Sequence, residues 1–307
     1  MHLLVTLLLG ACLASAPALA LEAVPVAPGV YAFLGDTGEP SVDNGANTGN
    51  SGFIVGSGGV IVVDTGASYR HGQAMLAAIA RVTAEPVQLV VVTHGVQEFV
   101  FGNAAFAERG VPLLAHAKTA ELMRSRCGHC LENLRKLLGE ERMHGTRVVL
   151  PERTVDGNTR LRVAGRTLEL LHYGWAATPG DLAVFDRDSG VLFAGALVGV
   201  QRIPELRDGK IDGWVEALDR LERVGARIVV PGHGRPAGPS AIGDMRAYLL
   251  ALEAQARAPY DSGASLMEAV DSADLPAYRD WAMYPAMHRK NVQQRYLELE
   301  VRELERQ

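Results

Sequence analysis

Along this chain, short apolar runs rich in β-branched residues stop abruptly at loops of small and polar residues. Val60-Ile61-Val62-Val63 ends at Asp64-Thr65-Gly66, and residues 89–92 end at Thr93-His94-Gly95. Residues 191–194 end at Gly195-Ala196, and residues 227–230 end at Pro231-Gly232-His233-Gly234. Apolar runs of this length with no polar alternation read as strands buried on both faces. Such strands need a covering layer on each side. Helical apolar spacing supplies the candidates at residues 71–82, 119–138, 211–224 and from Ser240 onward, where Ile242, Met245, Leu249, Leu252 and Ala256 share one face. Strands and helices that alternate in this way predict an α/β sandwich.

Residues 30–34, 52–55, 112–114, 168–171 and 182–185 read as further strands. The helix over 119–138 is expected to break near Cys127-Gly128, and a closing helix is expected from about Asn291 with Leu297, Val301 and Leu304 packed in the core. The plan of residues 53–66, strand, glycine turn and apolar strand, recurs around residues 182–196, which suggests two similar halves facing each other. No Pro/Gly/Ser linker splits the chain. The reading is one domain over residues 21–307, with a helical insertion at about 117–145 and a helical tail at about 240–307.

At 48% hydrophobic and 21% charged, the 307 residues hold enough apolar surface for a packed core, which excludes a disordered or fibrous chain. A net charge of -5 without a basic run argues against a nucleic-acid partner. Residues 1–20 contain no charged side chain and close on Ala18-Leu19-Ala20, which reads as a signal peptide cleaved before Leu21 and places the product in the periplasm or outside the cell. A lipid anchor at Cys12, in Leu9-Gly10-Ala11-Cys12, ranks below ordinary cleavage. No later segment reaches the ~18 to 20 apolar residues of a transmembrane helix.

Side chains at strand ends of an α/β fold project into a common cleft. Here the strand-end loops are Asp64-Thr65-Gly66, residues 93–99 with Gly102-Asn103, residues 176–181 with Gly195-Ala196, and residues 231–234. In order and spacing these loops resemble the metallo-β-lactamase superfamily over essentially the whole mature length. Cys127-Gly128-His129-Cys130, Gly145-Thr146 with Pro151, and Asn291-Val292 followed by Tyr296-Leu297-Glu298 resemble its exported, quinoprotein-relay type of zinc metallohydrolase. The resemblance implies a four-layer αβ/βα sandwich with two metals between its halves. It also implies a partner in quinoprotein-dependent oxidation, either a dehydrogenase or its cytochrome.

The family pattern calls for His-x-His-x-Asp-His, a His before Thr-Pro-Gly-Asp, an Asp after a strand-end Gly, and a final His in a Gly-His loop. This sequence has His94, then Val96, Glu98 and Phe99 at the next three positions, Ala177 before Thr178, Ala196 after Gly195, and His233. Four of the seven ligand positions therefore carry carbon-only side chains. A catalytic zinc needs about three protein ligands and a water, so a two-metal hydrolytic site is not expected. The primary reading is a non-catalytic protein without a cofactor, whose cleft binds a small molecule or a partner. The alternative is a hydrolase with a single zinc or iron on His94, Glu98 and His233.

Cys127 and Cys130 form a Cys-x-x-Cys pair that does not follow a strand as in a thioredoxin unit, so a local disulfide is favoured over redox catalysis. His71, His116, His144 and His288 read as packing or surface residues, and Asp64 and Asp181 as braces for loop amides.

Overall fold

The computed structural model describes residues 20–306, so the expected signal peptide and Cys12 lie outside the described residues. Two sheets face each other. The first has seven strands in chain order: β1 (Val24–Ala27), β2 (Val30–Phe33), β3 (Ser51–Gly56), β4 (Gly59–Val63), β5 (Val87–Val91), β6 (Leu113–His116) and β7 (Arg153–Val155). It is antiparallel through β4 and parallel from β4 to β7. The second runs β12 (Ile228–His233), β11 (Val191–Gly199), β10 (Ala183–Asp186), β9 (Arg166–Leu171) and β8 (Thr159–Val163), with only the β11/β12 pair parallel.

Side-chain alternation explains why β4 is apolar at every position. Ile61 and Val63 point into the layer between the sheets, where they join Leu168, Leu170, Val184 and Phe193. Val60 and Val62 point outward against α1 (Tyr69–Val82), through Met75, Ala78 and Ile79, and against α4 (Ala117–Leu138), through Met123 and Cys127. On the far side, Leu192, Ala194 and Val229 of the second sheet pack under α5 (Ile211–Glu222) and α6 (Ser240–Asp261). The result is the αβ/βα sandwich, and the central strands such as β4 and β11 have a core on both faces. No helix among the described residues is long and apolar enough to cross a membrane.

Three expectations need correction. Helix α4 is continuous through Cys127 and Gly128; Gly128 faces open space, and the buried stripe of Met123, Cys127, Leu131 and Leu134 holds the helix together across it. The closing helix, α8 (Tyr284–Leu304), begins seven residues before Asn291 with Pro285 in its first turn. Leu297, Val301 and Leu304 are exposed at 37%, 53% and 72%, so they are not core. The face of α8 that is buried carries His288, Asn291, Val292, Arg295, Tyr296 and Leu299. Polar groups can occupy it because each is satisfied: Arg295, fully buried, pairs with Glu253 of α6 and with Glu298. The short helices α2 (Gln97–Val100) and α3 (Asn103–Ala107) follow β5, and α7 (Leu266–Asp271) with a 3-10 turn (Pro276–Tyr278) completes the helical tail.

Candidate functional site

Strands β4 and β5 are parallel neighbours, so their ends bring Asp64 beside Thr93. Asp64 takes a left-handed backbone (φ 57°), one of the few non-glycine residue types that does so routinely. Its carboxylate accepts from the Thr93 amide at 2.8 Å and the Thr93 hydroxyl at 2.6 Å. Burial pushes its pKa up to about 7, against the opposing pull of these two bonds. Asp181 repeats the device, accepting from the amide and hydroxyl of Thr178 at 2.6 and 2.7 Å, and burial again raises it to about 7. Both aspartates brace loop amides, as expected from the sequence. The two halves are tied at this point, because the Leu182 amide donates to the Thr93 carbonyl at 2.9 Å.

His94 sits at the floor. Its Nδ1 lies 2.7 Å from the Thr93 hydroxyl oxygen, whose own proton goes to Asp64, so Nδ1–H is the donor and Nε2 carries the lone pair. His233 is held in the same tautomer, with Nδ1–H donating to the Thr48 carbonyl at 2.8 Å. Asn50 fixes the His233 loop by donating from Nδ2 to the carbonyls of Pro231 and Gly234. Burial keeps both imidazoles neutral, His94 down to about 3 and His233 well below its ordinary value, the latter with help from the Arg202 charge.

The Phe99 ring packs on both of them. It belongs to the short helix α2 (Gln97–Val100), and its centroid lies 4.1 Å from the His94 ring and 5.4 Å from the His233 ring. A third side rests on Gly49, where a Cβ would come within 2.5 Å of the ring, so the backbone there must be bare. Glu98 reaches His233, Oε1 to Nε2 at 4.0 Å, and burial raises its pKa. Solvent touches both, at 12% and 15% side-chain exposure. The structure therefore brings Glu98 and His233 together and packs Phe99 against both His233 and His94.

A metal fits this donor set poorly. Beside His94, Glu98 and His233 stands the Phe99 ring, which packs on both imidazoles and offers no lone pair. Among the described residues no group of three or more His, Cys, Asp or Glu side chains is arranged to hold a metal ion.

Cys127 and Cys130 are both free thiols, so the expected disulfide is absent. They sit in mid-helix, where Cys127 points into the core beneath the first sheet and Cys130 is half-buried. Burial pushes the Cys127 thiol up to about 12 and also raises Cys130, which disfavours thiolate chemistry. His116 caps α4 and stacks on His172 at 4.0 Å, His71 and His288 are buried, and none joins the floor.

Thr48, Asn50 and Arg202 escaped the sequence reading. Thr48 and Asn50 come from a loop about 185 positions before His233, so no local spacing relates them. Arg202 follows β11 as an isolated cation with no periodic context. A cavity of about 290 Å³ lies apart from this floor, between Asp274, Arg279, Tyr284 and His288 of the helical tail.

Residues 44–233 match the family model described as the metallo-beta-lactamase superfamily. The linear primary-alkylsulfatase of Pseudomonas sp. (strain ATCC 19151) is 26% identical over 211 residues, 58% of this chain and 40% of that protein, so the match spans well under half of this relative's length. A metallo-beta-lactamase from Pontibacter korlensis superposes with a TM-score of 0.62 at 22% identity, over 75% of this chain and 99% of that one. The DIM-1 metallo-beta-lactamase gives a TM-score of 0.60 at 19% identity, over 76% and 98%. At these identities the two structures speak for the fold alone.

Proposed function

The chain belongs to the metallo-β-lactamase superfamily, and from that premise we propose that it is a non-catalytic member, a binding or accessory protein for quinoprotein oxidation in the periplasm. One observation carries the first half of the reading: the Phe99 ring packed on both His94 and His233, in contact with a bare Gly49. Hydrolysis by a bound metal requires about three converging donors and an open position for water. The floor supplies an aromatic ring against both imidazoles, and the family resemblance assigns two further donor positions to Ala177 and Ala196. Loss of the metal also removes the cation that would compensate buried acids and imidazoles, and carbon side chains avoid leaving such groups unpaired, each at ~1–3 kcal/mol.

The quinoprotein link is supported by the resemblance of the Cys127–Cys130 region, the Gly145-Thr146 turn and the Asn291 to Glu298 stretch, and export by the uncharged composition of residues 1–20. The cleft's occupant in this reading is a small molecule or a quinoprotein dehydrogenase or its cytochrome.

A second reading keeps hydrolysis, with a single ion on His94, Glu98 and His233. It is favoured by the 4.0 Å approach of Glu98 to His233 and by the bare Nε2 atoms of both histidines, and it accords with the hydrolase names of the relatives. Elemental analysis of the purified protein after zinc and iron loading and dialysis separates the two. The non-catalytic reading expects metal far below one equivalent and no hydrolysis of esters, lactams or alkyl sulfates. One tightly held ion, lost in His233→Ala together with turnover, would establish the hydrolase instead.

A further inference from the structure

The chain that follows β11 forms one wall of the cleft, and the helical tail holds it there. The Ala282 amide donates to the Gln201 carbonyl and the Ile203 amide to the Ala282 carbonyl, each at 2.9 Å. Asn291 of α8 clasps the next turn. Its Oδ1 accepts from the Leu206 amide at 3.0 Å, and its Nδ2 donates to the Pro204 carbonyl at 2.8 Å. Glu205 and Arg207, on either side of Leu206, both bear on the charge of Glu98 at the floor. The clasp therefore sets where two charges of the cleft stand.

Behind Asn291 the hydrogen bonds run in one direction. Because an amide N–H occupies Oδ1, it is Nδ2 that also faces the Tyr248 hydroxyl, donating to its oxygen at 3.2 Å. The Tyr248 proton is thereby turned to His288 Nδ1 at 3.3 Å, and His288 keeps its own proton on Nε2, which donates to Gln255 Oε1 at 2.8 Å. Gln255 presents its oxygen there because its Nε2 donates to the Asp274 carbonyl at 2.7 Å. Asn291, Tyr248 and His288 are 2%, 0% and 1% exposed, so a partner lost from this chain is not replaced by bulk water.

A proton added to His288 goes to Nδ1, where it meets the Tyr248 O–H. The hydroxyl then has to turn its own proton towards the flanking rings of Tyr278 and Trp281, or the bond from Asn291 has to give way. His288 lines the tail cavity, stacked on Tyr284 at 4.7 Å, with Asp271, Asp274, Arg279 and Arg289 around the same space. Burial is the largest influence on the imidazole and keeps it neutral; the Arg289 charge acts in the same sense and the Asp274 charge against it. Asp274 is itself taken up by Arg279 and by the Tyr284 hydroxyl.

We propose that His288 is the sensor of a pH-dependent latch: neutral, it keeps Asn291 on the cleft wall, and protonated, it releases residues 203–206. The latch goes beyond the reading of the cleft as a binding site and does not depend on what the cleft holds.

Hydrogen exchange followed by mass spectrometry on the purified full-length protein tests it, with rates corrected for the intrinsic effect of pH and referred to the β5 segment. Between about pH 7.5 and about pH 4.5, which spans the range where a buried histidine takes up its proton, wild-type protection over residues 203–209 should fall by roughly 5-fold or more, the factor for one hydrogen bond left unmade at a buried group. His288→Gln, uncharged at every pH, should show no such fall, and Asn291→Ala should be deprotected at both pH values. If Asn291→Ala does not fold, Tyr248→Phe decides, because it keeps the ring and cuts the chain of bonds: its pH response should vanish. An unchanged wild type, the same fall in His288→Gln, or a full pH response in Tyr248→Phe would overturn the assignment. Neither metal content nor ligand binding enters this readout, so it fails independently of the non-catalytic reading.

Discussion

Replacing Phe99 with alanine tests the packing on which the non-catalytic reading stands. The side chain is 1% exposed and touches rigid surroundings on three sides. His94 is pinned to Thr93, His233 is pinned to the Thr48 carbonyl, and Gly49 has no side chain to move inward. A site that cannot collapse belongs to the upper part of the ~3–5 kcal/mol range for buried Phe→Ala changes. An opposing effect lowers the figure. The vacated space borders the lone pairs of two imidazole Nε2 atoms and the Glu98 carboxyl, and solvent already reaches Glu98 and His233, so water can enter and bond there. The expected net loss is ~3 kcal/mol, or about 6–12 °C in melting temperature at roughly 2–4 °C per kcal/mol for a chain of this size. Urea unfolding followed by circular dichroism measures it, with Phe99→Leu as the milder control at about half the loss. A loss below ~1 kcal/mol in Phe99→Ala would mean that the ring is not a packed part of the floor, and the argument against a metal there would fall with it.

Three further outcomes are expected. His71, buried and lowered to about 4 by desolvation against 6.5 when unfolded, adds stability above pH 6.5 that is lost as pH falls towards 4. The urea-midpoint advantage of wild type over His71→Leu should therefore shrink by up to ~3 kcal/mol between pH 7 and pH 4. Asp64 has the opposite sign, because its pKa is raised: its contribution is complete below pH 3.8 and is lost as pH rises through about 7, so wild type should lose ground to Asp64→Asn over that interval. A pH-independent gap in either pair would refute the corresponding burial. Arg295→Ala should cost ~1.5–3 kcal/mol through its lost charge-assisted hydrogen bonds, while Glu253 keeps Arg257 and Glu298 keeps Lys210 and Arg302. Thermal melts that move by less than a degree or two would show that the network is solvated.

The apolar runs over residues 60–63 and 89–92 were readable as strands because burial on both faces leaves its mark on every residue in the run. Edge strands leave a fainter mark: β1, β7 and β8 are short or carry alternating arginines, as in Thr159-Arg160-Leu161-Arg162-Val163, and they went unread. The tail helix misled for a related reason. A count of apolar residues selects Leu297, Val301 and Leu304, but the buried face is decided by whether Asn291 and Arg295 find partners. Those partners lie on other elements.

The sequence by itself determined the layered fold and the strand-end loops, because each is written in a residue and its immediate neighbours. Only the tertiary structure decided that Phe99 packs on both His94 and His233, that Thr48 and Asn50 hold a histidine more than 180 positions away, and that Arg202 comes close enough to bear on that histidine's charge. These are long-range contacts, and desolvation and pairing become definite only once distant segments have been brought within a few ångströms of each other.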